Sequence, residues 1–378
     1  MSAPHPVFIG GTGRSGTTVL GRLLGESSRY YNLETELVFH AAAGGLPDLL
    51  SGRVSTERFI EKLRTQWWYS LRPETAEFPE RGLHRIIPEP RLDAALAVLP
   101  ETVAEDPVGG ARQFLDTLVQ PVADEHSKPY WIDTTPYNPF YGRALLELCP
   151  QMKLIHTVRD GRDVASSVAS IYFGPDEPIE ALRYWDTRMR LADAGCRGLP
   201  SDRLLVITFE DLFNEAREKT YARLLEFVGI EDEPGVRAYF DNRMSPEAAH
   251  LGRWRKLRFR ERVDLDLVYR GVLLRMHRDR VGCAPPLDPE WDLDPEMVSD
   301  TVAGPVPDAM RYRVHVIYSA PRSEQEAVSP FMTHEEAQAE LRAIRRLRDD
   351  GTEIIRSWAL IPSGSIVGAH ISETRTIG

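Results

Sequence analysis

Val7-Phe8-Ile9-Gly10-Gly11-Thr12-Gly13-Arg14-Ser15-Gly16-Thr17-Thr18-Val19-Leu20-Gly21-Arg22-Leu23-Leu24 reads as an apolar strand, a glycine-rich turn and the start of an apolar-periodic helix. Glycines let the backbone fold tightly and turn successive N–H groups inward. The helix N-terminus adds its partial positive charge, so the turn becomes a cradle for a phosphate-like anion. The spacing Gly11-x4-Gly16 matches a nucleotide phosphate loop as far as its last glycine. There a kinase or ATPase carries Lys and then Ser or Thr, whereas this chain has Thr17-Thr18 and places its cation earlier, at Arg14.

A second stretch joins the first. Lys153-Leu154-Ile155-His156-Thr157-Val158 is a buried strand by its apolar run, and it leads into Arg159-Asp160-Gly161-Arg162-Asp163-Val164-Ala165-Ser166-Ser167. Arg159 and Ser167 would approach the same sheet edge as the glycine-rich turn, and Arg suits phosphate through its planar, forked donors. Taken alone, the run could be a helix-capping salt-bridge cluster, and Arg162 and Asp163 read as structural ion-pair residues.

Arg14-Ser15-Gly16-Thr17-Thr18 after a strand, followed by Arg159 and Ser167, resembles the two signatures of the sulfotransferases that use 3′-phosphoadenosine 5′-phosphosulfate (PAPS). The likeness is to the tyrosylprotein sulfotransferase-like and bacterial branch, and it spans about residues 7–280. It implies an α/β fold: a P-loop-like parallel sheet flanked by helices. It also implies a sulfuryl donor, PAPS, and an acceptor bearing a hydroxyl, with no metal. Gly13, Arg14, Ser15, Gly16, Thr17 and Thr18 would hold the 5′-phosphosulfate, Arg159 and Ser167 the 3′-phosphate. Arg253 and Trp254, in the basic segment His250–Arg258, match a family segment that closes over the nucleotide; a solvated basic face is the other reading.

The family's general base is a glutamate, commonly in a Glu-Thr pair such as Glu34-Thr35 at the end of a strand over residues 29–33. Right-handed β-α-β connection is expected to stand Glu34 beside the glycine-rich turn. Glu36 ranks second, and a helix-capping role for Glu34 remains the alternative. With Arg14, Glu34 completes the expected catalytic set. One departure stands out. Many relatives carry Lys two residues before the proline of Asp133-Thr134-Thr135-Pro136, and this chain has Thr134. Either Arg14 does that work alone or another cation reaches in.

The remaining sequence narrows the class. A formal charge of −11 over 378 residues argues against nucleic acid as the main partner. Three scattered cysteines suggest neither a disulfide framework nor a metal knuckle. No apolar run approaches a membrane span, and the first apolar segment belongs to the phosphate loop, so a cytoplasmic enzyme is expected. Helices are expected over 56–71, 88–98, 110–125, 179–195 and 263–275, with further strands at 130–132 and 203–209; Trp67, Trp68 and Tyr69 read as core before acceptor pocket.

Composition suggests a PAPS-binding domain over 1–283 and a Pro/acidic linker over 284–309. A small α+β module over 310–378 would follow, carrying self-association or a partner contact. In that module a strand is expected from Tyr312, a helix from Thr333 to Leu347, and strands over 353–361 and 365–371. Two rival functions are a P-loop nucleotide kinase, which the absent Lys disfavours, and a non-catalytic nucleotide-binding protein, which Thr134 favours.

Overall fold

The computed structural model describes residues 5–69, 82–170, 175, 177–214, 216–245, 249–288, 291, 312–320, 323–328, 338, 340–344, 354–356, 359–361 and 366–373. The chain divides into two compact units, residues 1–167 with 178–291, and residues 168–177 with 292–378.

The first unit starts with β1 (Val7–Gly11), buried along its whole length, and α1 (Thr17–Gly25). Then come β2 (Tyr30–Asn32), α2 (Leu46–Leu50) and α3 (Thr56–Lys62), which runs on as a π turn over Leu63–Trp67. The helix expected to reach residue 71 therefore leaves α geometry earlier, and residues 70–81 lie outside the described set. Two long helices follow, α4 (Glu89–Glu105) and α5 (Pro107–Glu125), then β3 (Tyr130–Asp133) and α6 (Gly142–Leu148). The second signature occupies β4 (Lys153–Val158) and α7 (Gly161–Val168). Completing the unit are α8 (Pro178–Cys196), β5 (Leu204–Thr208), α9 (Arg217–Val228), α10 (Pro234–Arg243) and α11 (Phe259–Arg278).

Strands β1–β5 form one parallel sheet in the order β2-β3-β1-β4-β5. Continuous apolar runs such as Val7–Ile9 suit strands covered on both faces, and the period of two divides them between two cores. Phe8, Trp131 and Leu154 point into one, packed with α2–α5 residues including Leu46, Phe59, Leu96 and Phe114. Val7, Ile9, Ile132, Ile155 and Ile207 point into the other, with Leu20 and Leu23 of α1, Leu224 of α9 and Phe240 of α10. Connections from β1 run toward β2 and β3, while β4 and β5 lie on its other side. The strand order thus switches at β1, and open parallel sheets have their ligand crevice at the C-terminal ends beside such a switch.

In the second unit, β6 (Tyr312–Ala320) lies between β7 (Ser323–Val328) and β10 (Ile366–Glu373), antiparallel to both. Residues 338 and 340–344 are helical, with Leu341 and Ile344 buried. The strand expected over 353–361 is a short antiparallel pair, β8 (Ile354–Arg356) and β9 (Ala359–Ile361). β7 was not expected: Ser-Glu-Gln-Glu-Ala-Val lacks the apolar alternation that marks a half-buried strand. Of the Pro/acidic stretch 284–309, only 284–288 and 291 are among the described residues.

Candidate active site

The turn between β1 and α1 is held open by left-handed backbone. Gly13 (φ 83°), Arg14 (φ 55°) and Gly16 (φ 92°) all adopt it, and Arg14 does so without a glycine's freedom. A Cβ on Gly16 would also lie 2.3 Å from the Phe209 ring, so this position admits no side chain. No side chain caps α1, which leaves its first-turn N–H groups turned toward the loop. Beneath, Ser15 Oγ and Thr157 Oγ1 are 3.0 Å apart, and Thr157 Oγ1 donates to the Gly10 carbonyl at 3.1 Å. The loop is thereby fastened to β4.

The two sequence signatures meet here. Arg14 Nε donates to Ser167 Oγ at 2.9 Å, and Arg159 Nη1 donates to the Arg14 carbonyl at 3.1 Å. Arg159 is buried, and its Nη2 reaches the carbonyls of Ala249 (3.1 Å) and His250 (3.3 Å). Its Nε is buried without a hydrogen-bond partner, and the guanidinium lies 4.5 Å from the Phe209 ring centre. Burial lowers the Arg159 pKa, against the opposing pull of Asp163.

Asp163 accepts from the backbone N–H of Gly252 (2.8 Å) and Trp254 (3.1 Å), which pins the 3₁₀ turn Arg253–Lys256 to α7. Trp254 packs under Arg162, 4.4 Å from its ring centre, while Arg253 is exposed. Arg162 and Asp163 both serve structural pairs, but with other partners. Arg162 binds Asp160 at 2.6 Å and also Asp266, and Asp163 lies 3.8 Å from Arg159. Glu210, just past β5, accepts the Asp160 N–H at 2.9 Å. Burial pushes its pKa up to about 7, with nearby N–H groups pulling the other way.

Glu34 stands elsewhere along the edge. β2 pairs with β3, not with β1, so β3 lies between the Glu34 strand end and the glycine-rich turn. The Glu34 carboxylate is 59% exposed; Tyr31 Oη is 3.5 Å away and Arg85 Nη2 4.0 Å. Glu36 is half-buried. The backbone carrying both carboxylates is nevertheless fixed. Buried Asp133 accepts from the Leu37 N–H (2.9 Å), the Thr135 N–H (2.9 Å) and Asn138 Nδ2 (2.9 Å), and His40 Nε2 is 3.3 Å from it. Burial would raise the Asp133 pKa, but His40 and these donors hold it below the usual carboxylate range. Val38 sits at φ 58°, a costly conformation for a β-branched residue, within this anchored loop. Thr134 packs against α1 at Gly21.

Sequence reasoning did not single out the Ser15–Thr157 tie, the Asp133–His40 anchor, or Arg188 of α8, which donates to the Thr12 carbonyl at 3.2 Å. Arg188 lies in an Arg-Met-Arg run that reads as a solvated helix face, and no short motif marks it. Trp68 is buried and Trp67 packs on the same core, while Tyr69 is exposed against His84.

A glycine-rich loop, two arginines from separate signatures and an uncapped helix thus meet at one strand edge of an α/β fold. The model of the sulfotransferase family matches residues 6–234, and the chain belongs to that family. Among solved structures it is similar to the sulfotransferase domain from the Synechococcus PCC 7002 olefin synthase. Identity is 20%, over 71% of this chain and 96% of that one, with a TM-score of 0.40. It is also similar to the sulfotransferase domain from the curacin biosynthetic pathway (16% identity, 66% and 83% coverage, TM-score 0.39). A third is the sulfotransferase STF9 from Mycobacterium avium (16% identity, 74% and 77% coverage, TM-score 0.40). No curated protein sequence matches the chain. Among the described residues no helix is long and apolar enough to cross a membrane.

Proposed function

We propose that this sulfotransferase takes its sulfuryl group from PAPS and passes it to a hydroxyl of an acceptor, with the chemistry carried by residues 1–283. The observation that carries the reading is the 2.9 Å bond from Arg14 to Ser167, which joins signatures 153 residues apart. The residues fit the donor: the left-handed loop and uncapped helix suit a 5′-phosphosulfate, and Arg159, tied to the Arg14 carbonyl, has a buried, unpartnered Nε. Arg159 would bind a 3′-phosphate by exchanging the Ala249 and His250 carbonyls for phosphate oxygens. The 249–254 turn, with Arg253 and Trp254, is then the part that adjusts around the nucleotide.

When bound, PAPS supplies a sulfur already activated by its phosphate leaving group. Glu34 accepts the acceptor's hydroxyl proton as the acceptor oxygen bonds to sulfur. The sulfuryl group would pass to that oxygen, leaving the electron pair of the broken sulfur–oxygen bond on the 5′-phosphate. Arg14, Thr17, Thr18 and the loop N–H groups meet the charge that gathers there, positioned before the reaction starts.

Calorimetric titration with 3′-phosphoadenosine 5′-phosphate (PAP), beside ATP with magnesium, tests the donor. Binding of PAP and not of ATP with magnesium is expected, and the reverse would overturn the donor reading in favour of a P-loop nucleotide-binding protein of the kinase type. Turnover is then sought by mass spectrometry as a gain of about 80 Da on a hydroxyl-bearing acceptor supplied with PAPS, the mass of the group this site is inferred to transfer. PAP binding with no turnover across phenols, sugars and alcohols would favour a non-catalytic role.

A further inference from the structure

Sulfuryl transfer places charge on the group in flight and on the leaving phosphate, and a site for it needs cations aimed there. The strand-end position that holds Lys in many relatives is Thr134, packed against Gly21 of α1. We propose that Arg188, reaching the loop from α8, supplies this charge by binding the oxygens of the transferring group. The inference rests on the donor reading above.

Arg188 is placed for the task. Its Nη1 donates to the Thr12 carbonyl at 3.2 Å and lies 3.9 Å from where a Cβ on Gly13 would sit. The guanidinium is walled by rings, 4.0 Å from the centre of Tyr184, 5.0 Å from Tyr137 and 5.9 Å from Phe140. Tyr137 follows Thr134 by three residues, so the rings bring Arg188 to the loop where the lysine is missing.

Its charge balance points the same way. Arg162 and Arg190 each bind two carboxylates, and Arg159 lies beside Asp163. Among the described residues Arg188 pairs with no carboxylate, in a chain of net charge −11, and one carbonyl occupies one of its five N–H donors. Aromatic faces favour a guanidinium yet cannot neutralise it. A half-buried cation held at a phosphate loop with donors to spare is suited to an arriving anion.

The test uses the full chain and the variant Arg188→Gln, which keeps a donor for the Thr12 carbonyl. Titration compares PAP with 3′-phosphoadenosine 5′-diphosphate, whose terminal phosphate stands where the sulfuryl group would. Affinity for PAP should stay within about twofold, affinity for the diphosphate should fall about tenfold or more, and turnover should fall about 10²–10³-fold. Adding Thr134→Lys to Arg188→Gln should recover much of the lost diphosphate affinity, which a purely structural role for Arg188 would not produce. Equal losses for both nucleotides would make Arg188 a strut of the loop and overturn the proposal, as would unchanged diphosphate binding. If the native protein binds neither nucleotide, the donor reading fails first and this inference falls with it. If it binds both and only the selective loss is absent, the donor reading stands and Arg188 alone is wrong.

Discussion

On the β1–β4 side of the crevice Ser15 is tied to Thr157, Arg14 to Ser167 and Arg159 to the Arg14 carbonyl, whereas on the β2–β3 side the Glu34 carboxylate is 59% exposed. The backbone on that second side is not loose, because Asp133 and Thr135 hold the amides of Leu37 and Val38. Under the proposed reading the donor half is therefore tied through its functional side chains, whereas on the acceptor half the carboxylate proposed as base is left exposed above an anchored backbone. That asymmetry suits an enzyme whose donor is constant and whose acceptor completes the geometry of the base on arrival, since catalytic hydrogen bonds often tighten only in the substrate complex.

Substitution of the proposed base tests the acceptor half most severely. Glu34→Gln keeps the side chain's size and hydrogen bonding but takes no proton. Turnover should drop about 10²–10⁴-fold while PAP binds almost as before. The same assay on Glu36→Gln is the control. Should Glu36→Gln lose activity and Glu34→Gln retain it, the half-buried carboxylate is the base, and the acceptor half is better organised than the comparison holds.

Arg159 probes the donor half. Arg159→Gln should weaken PAP by about 1.5–3 kcal/mol, one to two decades in affinity. Adenosine 5′-phosphosulfate, which lacks the 3′-phosphate, should bind nearly as it does to the native protein. Titrations that show equal losses for the two ligands would reassign Arg159 to holding the loop and the 249–250 turn.

How much of this the sequence discloses follows from the reach of each interaction. The glycine-rich turn is local: glycine positions, the following helix and the strand before it lie within 18 residues, so their spacing is readable. The apolar run of Lys153–Val158 likewise delimits β4 by itself. Strand order is not local. Chain order alone suggested that Glu34 stands beside the loop, but β3 inserts between β2 and β1, and Gly21 of α1 packs on Asn32 and Thr134 to make room for that arrangement. Arg188 reaches Thr12 across 176 residues, from a helix face that looks like any solvated stripe. Through-space contacts of that kind leave no spacing to read.

The smallest expected effect comes from Glu210, which borders the donor half through Asp160 and Arg159. Its carboxyl titrates at about 7 in the folded protein, against 4.5 for an ordinary glutamate, because burial penalises the charged form. The folded chain therefore holds a proton that the unfolded chain has released between those values. Stability from this group is greatest below about pH 4.5 and declines as pH rises through about 7, by about 1–2 kcal/mol once relaxation is allowed. Glu210→Gln keeps an oxygen for the Asp160 N–H and removes the titration. Denaturant unfolding from about pH 5 to pH 8 should then show a flatter pH slope in the variant and a gain in stability at the alkaline end. Superimposable slopes would mean that Glu210 is ionised throughout in the folded chain. The donor half would then hold a further buried negative charge beside Arg159, and the strength assigned to its anion site would have to be lowered.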